Sequence, residues 1–199
     1  MDNESLWLDK ALEGDDAAFA EIVGSYQRPV FNLCYRMLGN PNDAEDAAQE
    51  TFLRAYKALE RYDRNRAFST WILSIASHYC IDQLRKRRYQ TYSLDDEDRA
   101  WFQPPDPGPT PDKAVGDKEK HEFIRSLLDE LSPKDRAAVV LRYWYDYSYD
   151  EISETLNLTN SAVKSRLHRA RKQLALEYQT QKPQTILSTE RTQNESPAF

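Results

Sequence analysis

The sequence predicts an all-α protein: two small helical domains joined by a flexible acidic Pro-rich linker, the C-terminal one a helix-turn-helix. Three observations predict it. Apolar residues recur at helical spacing over long stretches, and the 199 residues include only five glycines. Between residues 93 and 117 the composition shifts to Pro104, Pro105, Pro107, Pro109 and Pro111, with the run Asp95-Asp96-Glu97-Asp98. That is an extended segment rather than a packed one. From Ser148 to Gln173 two short helical patterns flank a tight turn, and the second is basic.

The elements follow in order. A short helix covers about Ser5 to Glu13 and stops at Gly14. Asp15 or Asp16 caps the next, whose apolar positions run from Phe19 through Ile22, Val30, Leu33 and Cys34 to Leu38. Pro29 lies inside this pattern and is expected to kink or break it near Arg28. Asn42 with Glu45 reads as a capping-box start for a helix to about Arg61. Tyr62 to Ala67 is a loop, and a fourth helix spans about Ser69 to Tyr89, ending in Arg85-Lys86-Arg87-Arg88. The first domain is thus residues 1–92, the linker 93–117 and the second domain 118–179. In that second domain a helix to Leu131 precedes a start signal of Ser132 as N-cap, Pro133 at N1 and Asp135 at N3. Ser148 with Glu151 forms another capping box, and Asn157 can take the left-handed conformation in the turn. Residues 180–199 are polar and read as a disordered tail.

Charge and cysteines narrow the function. The net charge is −6, which argues against a general nucleic-acid coat or a polybasic membrane binder. No apolar run approaches the ~20 residues that span a bilayer, so no membrane insertion is expected. The start, Met-Asp-Asn-Glu-Ser, lacks a signal peptide's basic and apolar regions. Cys34 and Cys80 sit within apolar helical patterns and read as packed free thiols in a reducing compartment, and a cytoplasmic location is expected. Without CxxC or a Cys/His cluster, neither a metal nor another cofactor is expected.

Against that acidic background the stretch Ser161 to Gln173 carries Lys164, Arg166, His168, Arg169, Arg171 and Lys172 and no carboxylate. Val163, Leu167, Ala170 and Leu174 make its buried stripe. Its first turn, Asn160 to Lys164, would face base edges in a major groove. Lys164, Arg166, Arg169 and Arg171 suit phosphates, which set register without reading sequence. A solvated basic face is the plain reading, and the capped helix and short turn before it favour DNA.

A second cluster joins Phe68-Ser69-Thr70-Trp71 to Arg85-Lys86-Arg87-Arg88. Aromatics beside cations suit unstacked bases and their phosphates. Phe68 and Trp71 nonetheless read better as core, and the arginines are too dense for dipole compensation alone. In the third candidate helix, Ala44, Ala48, Phe52, Ala55, Tyr56 and Leu59 form one stripe, and Asp43, Asp46, Gln49 and Glu50 another. With no His or nucleophile beside them, acid/base chemistry is disfavoured. A docking face or a plain solvated face remains.

Three blocks in this order resemble extracytoplasmic-function (ECF) sigma factors, the minimal promoter-recognition subunits of bacterial RNA polymerase. They are Asp43 to Phe52, Phe68 to Arg85, and Leu131-Ser132-Pro133 through Tyr149-Asp150-Glu151-Ile152 to Arg171. The resemblance covers about residues 5 to 178. It implies that the first domain is sigma region two and the second sigma region four. Asp43, Asp46, Gln49 and Glu50 would dock on the clamp helices of the polymerase β′ subunit. Arg64, Asn65, Arg66, Phe68, Thr70, Trp71, His78, Asp82, Arg85, Lys86, Arg87 and Arg88 would capture the melted −10 strand. Thr159, Asn160, Ser161, Lys164, Ser165, Arg166, His168, Arg169 and Arg171 would read the −35 duplex, while other surfaces hold the β flap. The acidic linker would thread toward the RNA exit channel, and an anti-sigma partner is expected. Many family members carry Arg-Asn where this chain has Ser77-His78. His78 is therefore either a substitute −10 contact or a helix-surface histidine.

Two other classes compete with a non-enzymatic initiation subunit. A stand-alone helix-turn-helix regulator with an N-terminal sensing or dimerisation domain needs neither Arg85–Arg88 nor an acidic docking helix. A nucleic-acid-processing enzyme would need a metal cleft, a phosphate-cradling Gly-rich loop or a nucleophile–base pair, and the sequence supplies none.

Overall fold

The computed structural model describes residues 3–93 and 122–181, and every described element is helical. Eight α-helices follow in order: α1 (Asn3–Leu12), α2 (Asp16–Leu38), α3 (Pro41–Ala58), α4 (Phe68–Ser93), α5 (residues 122–129), α6 (Pro133–Trp144), α7 (Tyr149–Leu156) and α8 (Asn160–Gln181). A 3₁₀ turn, Leu59–Arg61, extends α3. Ser93 ends α4 and Gln181 ends α8, so helix crosses both expected domain edges, at 92 and 179. The rest of the expected linker, including its prolines and acidic run, and residues 182–199 of the expected tail lie outside the described residues.

The caps follow the residue chemistry. Asp15 accepts from the amides of Ala17 and Ala18 to open α2, and Gly39 closes it in the left-handed conformation at φ 73°. A side chain at residue 39 would also meet the Arg125 side chain, with Nε 2.9 Å from the new Cβ. Ser132 caps α6 with Pro133 in its first turn, as the sequence predicts. Ser148 and Glu151 close a reciprocal capping box at α7. The hydrogen bonds from Ser148 hold the Glu151 carboxyl below its ordinary range. Asn157 ends α7 at φ 50° and ψ 56°, the left-handed turn expected of it.

Two expectations are corrected. The N-cap of α3 is Asn40, whose side chain accepts from the amides of Asn42 and Asp43, so the helix opens at Pro41 rather than at Asn42. Pro29 does not break α2, which runs as one helix from Asp16 to Leu38. The buried stripe Phe19, Ile22, Val30, Leu33, Cys34 and Met37 continues through the proline. Packing along that stripe outweighs the ~3 kcal/mol that an interior proline costs.

The N-terminal half packs α2, α3 and α4 around Val30, Leu33, Met37, Phe52, Ile72 and Leu73. Cys34 and Cys80 face each other in this core as free thiols. The Cys34 hydrogen bond, reinforced by burial, pushes the Cys80 thiol well above its ordinary range. The native protein is therefore expected to show no fast reaction with a disulfide reagent at pH 8, both thiols appearing only on unfolding. A fast stoichiometric reaction of either thiol in the folded chain would contradict this packing.

The C-terminal half rests on α6, where Ala137, Ala138, Val139, Val140 and Leu141 are all buried in succession. Five consecutive residues cannot share one helix face, so this central stretch of α6 is covered all round. Helices α7 and α8 pack against it, and so do α2 and α4. Arg136, 5% exposed, donates from Nη1 to the Met37 carbonyl at the end of α2 (2.7 Å) and pairs with Asp129 (2.9 Å). The Tyr145 hydroxyl donates to the Pro29 carbonyl, and the Arg36 guanidinium lies 5.1 Å from the Trp144 ring centre. The two halves therefore form one packed body.

Candidate nucleic-acid interface

Region by region, the expected contact residues fall into exposed faces and buried supports. In the loop before α4, the Asp63 carboxylate accepts from the Asn65 amide (3.0 Å) and its Nδ2 (2.9 Å). The Tyr62 hydroxyl donates to the Arg66 carbonyl. Arg64 pairs with Asp9 of α1, and Arg66 with Glu154 of α7. Phe68 is 1% exposed and meets Tyr26, Tyr62 and Trp71 with ring centres 5.2 to 5.4 Å apart. Thr70 is buried too. In this structure both side chains lie beneath the loop and present no surface. A cavity of 480 Å³ lies beside the loop, walled by Glu4, Ser5 and Leu8 of α1 and by Tyr62, Arg64 and Phe68.

Along α4 the geometry is more open. His78, Asp82 and Arg85 are exposed at i, i+4 and i+7 and share one stripe, with Lys86 beside it and Trp71 half-buried toward its start. The His78 Nδ1 lies 2.8 Å from the Ser74 carbonyl and donates to it, on an otherwise exposed ring. Ser77 is fully buried. Arg88 is exposed, and Arg87 pairs with Asp43 of α3 at 2.8 Å. A groove of 260 Å³ joins α4 to α3, lined by Tyr79, Asp82, Gln83, Arg85 and Lys86 with Arg54. Arg54 stacks over the Tyr79 ring at 4.8 Å. Sequence reasoning missed Arg54, Tyr79 and Gln83, because the groove exists only once α3 and α4 pack side by side.

On α3 the four expected docking residues divide. Asp43 is paired with Arg87, and Glu50 with Arg54 (2.7 Å). Asp46 and Gln49 stand exposed on one face with Leu53 (56% exposed) and Tyr56 (51%). Tyr56 belongs to the stripe of small and aromatic residues read from the sequence, yet it is exposed. Its ring packs edge-on against Phe19 while its hydroxyl donates to Asp16. Leu53 carried no signal of its own in the sequence beyond its helical phase, which matches Asp46 and Gln49.

The helix-turn-helix is α7 and α8. Val163, Leu167 and Ala170 are buried as expected, and Leu174 packs against the core. Thr159 caps α8 by accepting from the Ala162 amide (3.2 Å) and lies 3.1 Å from the Ser161 hydroxyl. Ser161, Lys164, Ser165, His168 and Arg171 are exposed along one broad face. Lys164 Nζ sits 5.8 Å from the Tyr149 ring centre, and Arg171 Nε donates to the Leu167 carbonyl. Asn160 donates from Nδ2 to Asp150 of α7. Arg166 departs from expectation. It is half-buried and bonded to Asp135 of α6 at 2.8 Å, a strut between helices rather than a free phosphate contact. Arg169, largely exposed, is 3.8 Å from the same carboxylate.

The comparisons with known proteins give the family. Residues 22–89 match the family model described as Sigma-70 region 2, and residues 122–174 match that of Sigma-70, region 4. The ECF RNA polymerase sigma factor SigW of Bacillus subtilis is 41% identical over 168 residues, covering 81% of this chain and 89% of its own. SigE of Mycolicibacterium smegmatis is 37% identical over 166 residues, covering 81% of this chain and 63% of its own. In fold, the chain is similar to CnrH, solved in complex with the cytosolic domain of CnrY, with a TM-score of 0.68 at 21% identity over 90% of this chain and 99% of that one. Among the described residues no helix is long and apolar enough to cross a membrane. The chain belongs to the ECF group of the sigma-70 family, the non-catalytic subunits of RNA polymerase that direct promoter-specific transcription initiation.

Proposed function

We propose that the chain reads its promoter with two separate faces, one on α4 and one on α8, and meets the polymerase with a third on α3. The observation that carries this reading is the placement of two exposed, cation-bearing faces on different helices of a chain whose net charge is −6. Local basicity on an acidic body favours binding only where geometry and a partner add to it. His78, Asp82, Arg85 and Lys86, with Arg54 and Tyr79 across the groove, receive the melted −10 strand. His78 offers its exposed ring there, in place of the amide that many relatives carry. Ser161, Lys164, Ser165, His168, Arg169 and Arg171 hold the −35 duplex. Asp46 and Gln49 dock on the β′ clamp helices, the C-terminal half holds the β flap, and the acidic linker occupies the RNA exit path. The chain acts in the cytoplasm, and an anti-sigma protein holds it there until release; the CnrH structure with CnrY is a complex of this general kind.

In-vitro transcription tests the reading. Core polymerase with the purified chain, given genomic fragments, is expected to initiate at a defined subset of start sites sharing −35 and −10 elements. Tight binding to a duplex operator without polymerase, together with no initiation, would overturn it.

A further inference from the structure

The first turn of α8 contains one polar side chain whose orientation is fixed from another helix. Asn160, the residue after the N-cap, donates from Nδ2 to the Asp150 carboxylate in the first turn of α7. A carboxylate only accepts, so the amide cannot turn its oxygen toward Asp150. Two functions of Asn160 then remain: Oδ1 as an acceptor, and the second Nδ2 hydrogen as a donor. The same stretch of α7 also backs Lys164 through the Tyr149 ring. The opening turn of the capped α7 thus supports the two longest polar side chains in the opening turn of α8.

We infer that Asp150 is a positioning residue that fixes the Asn160 amide so that α8 selects adenine at one −35 position. In the major groove adenine offers N6–H as donor beside N7 as acceptor, which matches the acceptor and donor left on Asn160. Cytosine meets only half of the pair. Guanine and thymine present an oxygen acceptor where Oδ1 needs a donor, so both are disfavoured. Freed from Asp150, the amide turns about its own bond and presents either end, and the discrimination falls. This inference rests on the assignment of α8 to the −35 duplex.

The test uses core polymerase reconstituted with the full chain and a promoter library in which each −35 position carries all four bases. Asn160→Ala first identifies the position whose preference collapses. There the unaltered chain is expected to favour adenine over guanine or thymine by about tenfold in transcript yield. Asp150→Ala is expected to reduce that preference to about twofold, with preferences at the other positions retained. Asp150→Asn can donate as well as accept, so it keeps a hydrogen bond to Asn160 but lets the amide turn; it is expected to lose most of the discrimination, a loss that a purely structural pin does not predict. A uniform fall across all promoters with Asp150→Ala overturns the assignment, as does a preference for guanine or thymine at the Asn160 position. Failure of the unaltered chain to select any promoter would overturn the reading of the molecule itself.

Discussion

Asp46→Arg is expected to weaken binding to core RNA polymerase by about 100-fold, because juxtaposing like charges across an interface costs several kcal/mol. The choice of Asp46 over its neighbours follows from the ion pairs. Asp43 is neutralised by Arg87 and Glu50 by Arg54, whereas Asp46 stands on the exposed face beside Gln49, Leu53 and Tyr56. Exposed large apolar side chains flanking a carboxylate suit an interface centre that is dry around one polar contact. The substitution touches no buried group, so the thermal midpoint should move by no more than about 1–2 °C. Titration of labelled chain into core enzyme measures the first quantity, and a thermal melt the second. Unchanged polymerase affinity would remove Asp46 from the docking face.

The largest stability effect is expected from Phe68→Ala. Its ring is enclosed by Tyr26, Tyr62 and Trp71, so truncation removes a full aromatic side chain and leaves a cavity that the rigid neighbours cannot refill. Such losses run to ~3–5 kcal/mol. For a chain of this size that lowers the midpoint by roughly 10 °C. Phe68→Leu should recover more than half of the difference. The opposite pattern, an unmoved midpoint with strand opening abolished at the promoter, would mean that Phe68 meets a base after all and that its burial here is not its working state.

Helix count, caps and turns were legible in the residues because their determinants are local. Ser132 with Asp135, Ser148 with Glu151, and Asn157 each act within four residues. The start of α3 was misplaced by two asparagines of equal capping chemistry, of which Pro41 favours the earlier. Of the kink or break expected at Pro29, the break does not occur, because the stripe that overrides the proline's local cost depends on tertiary packing. The candidate sites were legible as segments but not as faces. Whether an aromatic at the start of α4 points in or out depends on partners such as Tyr26, far off in sequence. Arg166 looked like Arg171 until Asp135 was placed beside it, 31 residues away.

The grip of the C-terminal half on α2 and on the loop before α4 also sets a ruler. Element names 25 base pairs apart correspond to about 85 Å of duplex at ~3.4 Å per step. A folded chain of this length is only about 40 Å across. On the promoter reading proposed above, α8 and the α4 stripe cannot reach both elements while Arg66 stays on Glu154 and Tyr145 on Pro29. The halves must part before the second element is engaged. The free energy that holds them together is then subtracted from promoter affinity, so a stronger seam makes a weaker initiator.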